Sequence, residues 1–500
     1  MSLKHNIIAN YVSQIYVTLI GIVMVPAYVR YMGTEAYGLI GFFAVLQTWF
    51  QLLDMGLRPT MTREAARFQG GATDALSLRR LLRALEGIFY GIAVVGAAAM
   101  IAGAEAIASG WLQIQRLPLA EVTHSIMLMA LAIALRWVSG LYRGAIAGFE
   151  RQVWLSSFNS AVATVRFVLV IPFFIYVGSS PVLFFGFQLA VAILETSTLL
   201  VKTYRVLPKI DKGMRVPWRW QPLRPVLKFS LTVAFTHFVW VLVTQTDKLL
   251  LSRLLPLTDY AYFTLAVLVA NGVTLVAGPT SSALQPRLAR LSAQGDEDGV
   301  IRLYRNATQL IGVIAVPVAL MLATFSEQIL WAWTGDAEIA SKAAPVLTLY
   351  ALGNGILAFG AFPYYLQFAK GDMRMHLIGN VLFVVVLVPA LILATLHYGA
   401  IGAGYAWLCT NAALFVFWIP RVHNRFAKGL HVQWVLRDVG GIVLVTVAVS
   451  LVAHWFMEWP RERIPIAMWI AALSAGLLTT AAVGSSWVRE TISRRVRQRG

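Results

Sequence analysis

Apolar runs of membrane-crossing length recur along almost the whole chain, separated by short polar loops. About 20 residues at 1.5 Å per residue cover the ~30 Å hydrocarbon of a bilayer, so each run reads as a transmembrane helix. The pattern predicts spans near 7–29, 36–57, 84–108, 119–142, 152–177 and 179–201. A second set lies near 226–247, 257–280, 306–330, 343–368, 376–397 and 399–420, and a last pair near 438–457 and 466–487. Residues 202–228 divide the first two sets: they carry eight Lys/Arg and four prolines and contain no apolar run. Proline breaks helix continuity, so this stretch is expected to be a cytoplasmic linker or a short interfacial helix. The expected plan is an all-α polytopic membrane protein of about 14 helices. It comprises a six-helix bundle over 1–201, the basic linker 202–228, a second bundle over 229–421, two further helices over 422–487 and a basic tail 488–500.

The placement of cations orients this plan. Of the 41 Lys and Arg, 32 fall in alternate loops and the two termini, seven in the intervening loops, and only Arg136 and Arg166 inside apolar runs. Basic loops resist translocation, which predicts both termini in the cytoplasm. The first span begins at the N-terminus without a small-residue cleavage site, so it is expected to be retained.

The two halves also resemble each other. With an offset of 224 residues, Thr34-Glu35 falls on Thr258-Asp259, Arg63 on Arg287, Ala65 on Ala289, Gly71 on Gly295 and Asp74 on Asp298. Both copies start on the cytoplasmic side and hold six spans, so they are expected to be parallel repeats. Two such bundles with a cavity between them form a transporter plan.

Composition narrows the classes further. The chain is 58% hydrophobic and 13% charged, about half the charge of a soluble globular domain, too little to cover its own surface. Its formal charge of +18 is scattered through short loops, which fits topology and anionic lipid better than a nucleic-acid footprint. The lone cysteine, Cys409, excludes an internal disulfide and a cysteine-based metal site. There is no HExxH, no Gly-rich phosphate loop before a helix, and no external carboxylate pair at general acid/base spacing. The outer loops are a dozen residues or shorter, which argues against a membrane glycosyltransferase or polysaccharide polymerase.

Several polar positions stand out within this background. Arg166 lies near the middle of its span, roughly 14 residues from one end and 11 from the other, too deep to snorkel. A lipid-facing Arg there costs at least about 2.5–3.5 kcal/mol, so it is expected to face a cavity or a buried partner such as Glu195 or Glu86. Arg136 lies about six residues from the cytoplasmic end of its expected span, within snorkelling reach. Asn6, Asn10, Gln14 and Thr18 recur every four residues and share one face of the first helix. Thr232, Thr236, Trp240 and Thr244 form a similar stripe on the seventh, ending near Asp247-Lys248. Such stripes either line a lumen or join helices through hydrogen bonds. Asp247 and Lys248, with Asp54 near the inner end of the second span, are candidates for gating, ion coupling or local pairing. His237 titrates near neutrality when unperturbed, although a lone histidine is more often structural. Pro172, Pro317, Pro363 and Pro389, with Gly353, Gly355 and Gly360, are candidate bending points.

Taken in order, Asn10-Tyr-Val-Ser-Gln, Met24-Val-Pro, Tyr37-Gly and Leu53-Asp-Met-Gly-Leu-Arg resemble the opening of bacterial Wzx-type polysaccharide flippases. These belong to the multidrug/oligosaccharidyl-lipid/polysaccharide (MOP) exporter superfamily. Lys228-Phe-Ser, Asp247-Lys-Leu-Leu-Leu-Ser, Leu284-Gln-Pro-Arg-Leu-Ala-Arg-Leu and Tyr398-Gly-Ala-Ile-Gly-Ala-Gly-Tyr-Ala-Trp continue the family's order through the second half. The resemblance implies two six-helix bundles around a central cavity. It also implies an undecaprenyl-diphosphate-linked oligosaccharide as substrate, moved across the bacterial inner membrane for O-antigen or other surface polysaccharide. It implies no resident cofactor, leaves H⁺ or Na⁺ coupling open, and places other polysaccharide-assembly proteins nearby as partners. Family position favours a cavity role for one of Arg30 and Arg58, which otherwise anchor at opposite membrane faces, and adds them to Arg136 and Arg166 as candidate contacts for the diphosphate, whose oxygens suit the guanidinium fork. The main rival is a cation-coupled multidrug exporter of the same superfamily, which calls for acidic residues deep in the bundle.

Overall fold

The computed structural model describes residues 3–54, 56–208, 221 and 224–490; within its helices, the side chains at 3–8, 224–237, 240, 276–283 and 286 lie outside that description. Among the described residues every regular element is helical. The first half holds α1 (Leu3–Val23), α2 (Val25–Met32), α3 (Thr34–Phe50), α4 (Leu57–Gln69), α5 (Ala75–Ala102), a single turn α6 (Ala104–Ala106), α7 (Leu119–Gly148), α8 (Gln152–Phe167), α9 (Val170–Tyr176) and α10 (Pro181–Val206). The second half continues with α11 (Arg224–Leu254), α12 (Leu257–Ala270), α13 (Gly272–Ala293), α14 (Glu297–Thr324), α15 (Ser326–Thr334), α16 (Ala337–Lys370), α17 (Arg374–Ala413), α18 (Ile419–Phe426), α19 (Leu430–Gln433), α20 (Gly441–Phe456) and α21 (Arg463–Gly484).

Eleven helical stretches among the described residues are long and apolar enough to cross a membrane. One of them, Arg374–Phe426, runs for 53 residues, far more than a single crossing needs. It is broken at Gly399, whose φ of 58° and ψ of −141° suit a residue without Cβ. The expected spans 376–397 and 399–420 therefore meet at a glycine corner with no loop between them. The chain is an all-α, multi-pass membrane protein.

Local chemistry sets several helix starts. Asp74, Asp296 and Asp336 cap α5, α14 and α16, accepting from the backbone N–H groups of Ser77, Gly299 and Glu338 respectively. Ser180 caps α10 through Leu183 N–H, with Pro181 at the first helical position, where its missing N–H leaves nothing unpaired.

The chain divides into two compact units, Met1–Ala261 and Tyr262–Gly500. In the first, α7 is the central helix, with α3, α4, α5 and α10 packed around it. Its C-terminal half carries Gly140, Gly144 and Gly148 at four-residue spacing, a surface that lets a neighbouring backbone approach closely. A Cβ at Gly144 would lie 2.9 Å from the Arg58 carbonyl oxygen, and one at Gly148 would lie 2.6 Å from the Ala65 Cβ. The neighbour is α4, an amphipathic helix in a stretch whose polarity predicts only a basic loop. Thr62 Oγ1 ties the two together by donating to the Gly144 carbonyl at 3.0 Å.

The first unit also takes in α11, past the basic linker. The buried Glu35 accepts from three consecutive backbone N–H groups, those of Gln115, Arg116 and Leu117. The same segment reaches α11 and α12: Gln113 Nε2 donates to the Arg253 carbonyl at 2.9 Å, and Thr258 Oγ1 donates to Gln115 Oε1 at 2.8 Å. Glu35 and Thr258, members of the two repeated Thr-acid pairs, thus converge on one loop.

In the second unit, α20 and α21 dock on α14 through a buried polar knot. Arg305 donates to both oxygens of Asp438, at 2.7 and 3.1 Å, and Gln309 Nε2 donates to the same carboxylate at 2.7 Å. Gln309 Oε1 accepts in turn from Ser485 Oγ and Trp487 N–H. Beside it, Trp434 is fully buried in the apolar core with Tyr304, Phe362 and Ile442. Gly353 and Gly355, candidate bending points, are close-packing positions: a Cβ there would lie 2.5 Å from Trp407 and 2.9 Å from Ala319.

Candidate functional site

The span holding Arg166 is discontinuous. Pro172 lacks the N–H that the Val168 carbonyl would accept, and its ring crowds that carbonyl, so the helix stops at Phe167 and resumes at Val170. A broken helix within a bilayer must have its freed carbonyls met by other groups. Here side chains do this. Gln188 Nε2 donates to the Arg166 carbonyl at 3.3 Å, and Tyr28 OH donates to the Phe167 carbonyl at 2.8 Å.

Arg166 sits in the last turn of α8, where the helix dipole favours a cation. Its guanidinium lies over the Phe167 ring at 4.9 Å, and its Nε is buried without a hydrogen-bond partner. Arg136 approaches from α7 and is only 7% exposed. Its Nη2 donates to Gln188 Oε1 at 2.7 Å, its guanidinium lies 5.3 Å from the Phe43 ring centroid, and both Nε and Nη1 are buried without a partner. Of the two readings open for Arg136, snorkelling and an inward role, the side chain takes the inward one. Helix α7 runs on to Gly148, and the side chain turns into the bundle.

A third cation completes the group. Arg143, two turns along α7, pairs with Glu195 of α10 and donates to Asn159 of α8. Glu195 is buried, with Ser139 Oγ at 3.5 Å. Arg136, Arg143 and Arg166 interact electrostatically with one another and with Glu195. The partner considered for Arg166 from the sequence therefore makes its direct ion pair with Arg143. Glu86 is committed elsewhere, accepting from Tyr142, Tyr204 and Arg83. Three guanidinium groups thus share the influence of one carboxylate inside a single unit, and three buried nitrogens, Nε and Nη1 of Arg136 and Nε of Arg166, have no acceptor.

The other candidates lie apart from this cluster in their contacts. Arg30 is exposed at the end of α2, and Arg58 is exposed on α4, its backbone N–H donating to Asp54 Oδ1 at 3.0 Å. Asp54 thus serves as a local cap for that turn. Arg58 still lies close enough to Arg143 to interact electrostatically. Asn10 and Gln14 are exposed on α1, whose packing face on α8 is formed by Ser13 and Tyr16, bonded to Ser156 and Thr164. Asp247 is fully buried and paired with Lys248 at 3.1 Å, and Lys248 also donates to the Thr244 carbonyl at 2.6 Å. The side chains of Trp240 and His237 lie outside the described residues. Among the described residues, no three His, Cys, Asp or Glu side chains are placed to hold a metal ion. Sequence reasoning missed Gln188, Asn159 and Arg143 as members of the site, although each polar side chain interrupts an apolar run or its border.

The sequence matches the family described as polysaccharide biosynthesis protein over residues 3–292, and the MatE family over residues 233–395. Comparison with curated proteins gives no match. Among solved structures, the fold is similar to lipid II flippase MurJ in an inward closed conformation. That likeness has a TM-score of 0.73 and 12% identity, and covers 97% of this chain and 99% of that one. It is also similar to an inward-facing multidrug resistance MATE transporter of the MOP superfamily, with TM-score 0.67, 14% identity and 83% and 95% coverage. An outward-facing MATE structure matches with TM-score 0.51, 15% identity and 83% and 94% coverage. The helical plan and these likenesses define a multi-pass membrane protein with the fold of that flippase and those transporters. The chain belongs to the polysaccharide biosynthesis protein family.

Proposed function

We propose that this protein is a flippase that moves an undecaprenyl-diphosphate-linked oligosaccharide from the cytoplasmic to the periplasmic leaflet of the bacterial inner membrane. Both termini lie in the cytoplasm in this reading, as the basic loops require. The observation that carries it is the buried Arg136 and the partly buried Arg166 beside a broken helix, with guanidinium nitrogens that have no protein acceptor. A diphosphate supplies charge and oxygens to such donors, and the guanidinium fork matches them in geometry. Broken helices are where transporters of several folds place their substrates. Family membership supports the substrate class, and the lipid II flippase among the structural neighbours supports a lipid-linked cargo.

The protein's work is binding and exposure to alternate leaflets, with no bond made or broken. Arg166 and Arg136 hold the phosphates, Arg143 extends the cationic surface, and the prenyl chain stays in the bilayer. Arg30 and Arg58 contribute to guiding the head group at the membrane faces, and the exposed Asn10 and Gln14 offer hydrogen bonds to sugar hydroxyls. Glycosyltransferases and a polymerase are the functional partners. Asp247 with Lys248 is the place to look for H⁺ or Na⁺ coupling.

Proteoliposomes holding wild-type protein and a labelled polyprenyl-diphosphate oligosaccharide test this reading. Transfer between leaflets should proceed with wild type and stop with Arg166→Ala. The MatE match favours a second reading, a cation-coupled drug exporter. Efflux of organic cations driven by a proton or sodium gradient, without lipid transfer, would establish that one instead.

A further inference from the structure

We infer that Glu195 is a displaceable counter-ion, a carboxylate that holds the place of the substrate's anionic group on Arg143 and gives it up when the substrate binds. This rests on reading the arginine cluster as the anion site.

The argument begins with charge. Among the described residues, Arg136, Arg143 and Arg166 act electrostatically on one another and on a single carboxylate, Glu195, whose ion pair is with Arg143, leaving two positive charges unbalanced. A cluster built only for stability would pair each buried cation, because an unpaired one is strongly unfavourable in a low dielectric. The imbalance therefore matches a ligand carrying about two negative charges, such as a diphosphate.

The second observation is the distribution of donors. Arg136 keeps Nε and Nη1 unmet and Arg166 keeps Nε unmet, whereas Arg143 is engaged by Glu195 and Asn159. Glu195 has thus taken a guanidinium with 18% of its side chain exposed, while the likewise partly buried Arg166 and the buried Arg136 keep donors unmet. An incoming phosphate meets Arg143 already neutralised and Arg136 and Arg166 still hungry for acceptors.

The charged and titratable groups around Glu195 are few. Arg136 and Arg143 come from α7 and Arg166 from α8, with Tyr28 of α2 facing Arg166 and Arg58 of α4 facing Arg143. Among these described groups no second acid offers Arg143 an alternative when phosphate displaces the carboxylate. Glu195 then repels the bound anion and reclaims Arg143 as the ligand leaves. A transport site must bind strongly enough to load and weakly enough to release. Glu195 supplies the second half of that requirement.

The test uses the full chain in lipid nanodiscs, with inorganic pyrophosphate as the probe and calorimetry as the readout. Glu195→Gln removes the charge and keeps the shape. The expected result is at least tenfold tighter pyrophosphate binding together with slower lipid transfer in proteoliposomes. A purely structural Glu195 would give equal or weaker binding, and that outcome overturns the counter-ion role while leaving the anion site intact. If wild type, Glu195→Gln and Arg166→Ala all fail to bind pyrophosphate, the anion-site reading falls and takes this inference with it. Should Glu195→Gln not accumulate as folded protein, Glu195→Asp shortens the reach to Arg143 and should tighten binding by a smaller factor. Binding by that variant equal to or weaker than wild type is likewise contrary.

Discussion

Gln188 accepts from Arg136 at 2.7 Å and, through the other end of the same amide, donates to the Arg166 carbonyl at 3.3 Å. One neutral side chain thereby ties the buried Arg136 to the Arg166 turn and closes the backbone gap left by the helix break. Gln188→Leu should destabilise the folded protein by about 1.5–3 kcal/mol, the range for a lost hydrogen bond to a charged group. Thermal unfolding in detergent reads this. A shift within about 0.5 kcal/mol of wild type, the scale of a neutral surface change, would show that Gln188 is not what holds Arg136.

The α4–α7 contact depends on absent side chains. Gly148→Val should cost about 1–3 kcal/mol by overpacking, since its first added carbon would lie 2.6 Å from the Ala65 Cβ. Gly186→Ala is the control, because nothing lies within 4 Å of its Cβ position. Equal melting temperatures for the two variants would contradict the packing described.

Glu35 gathers three N–H groups of the 115–117 segment. Glu35→Ala should leave them without their acceptor, and hydrogen exchange of Gln115, Arg116 and Leu117 should accelerate by roughly ten- to a hundredfold, as for a loss of about 1.5–3 kcal/mol. Unchanged protection would mean the loop is held by its contacts with Arg253 and Thr258 alone.

Asp438 receives Arg305 and Gln309 at once. Asp438→Ala strands a cation, and the expected loss is about 3 kcal/mol, toward the low end of the buried-pair range because Arg305 keeps 24% of its side chain exposed. Hydrogen exchange over 434–456 should rise selectively. A uniform rise across the whole chain would instead point to global unfolding.

Much of the fold is legible in the residues because membrane crossing imposes a length and a composition that a single sequence displays. The helices over 119–148, 152–176 and 181–206 lie on their expected spans with ends displaced by no more than six residues, and Pro172 marks the break beside Arg166. What is not legible depends on packing between distant segments. The depth of Arg136 escapes the sequence because α7 continues six residues beyond its expected end, and a snorkelling distance counted from the wrong terminus carries no information. Helix α4 is hidden by its polarity, and the Gly140–Gly144–Gly148 stripe reads as a docking surface only once its partner is known. Arg166 can be singled out by depth alone, whereas its link to Gln188 and the pairing of Arg143 with Glu195 join positions 22 and 52 residues apart. Asp438 stands at the edge of an apolar run, where a charge requires a partner, yet nothing local points to Arg305, 133 residues away.

The most direct test of the account is the sidedness of lipid-linked oligosaccharide in a bacterial strain lacking its own flippase. With this chain expressed, the oligosaccharide should reach the periplasmic leaflet and surface polysaccharide should return; with Arg166→Ala at normal abundance, both should be lost. Oligosaccharide confined to the cytoplasmic leaflet for every repeat unit supplied, with the wild-type chain present in the membrane, would contradict the account.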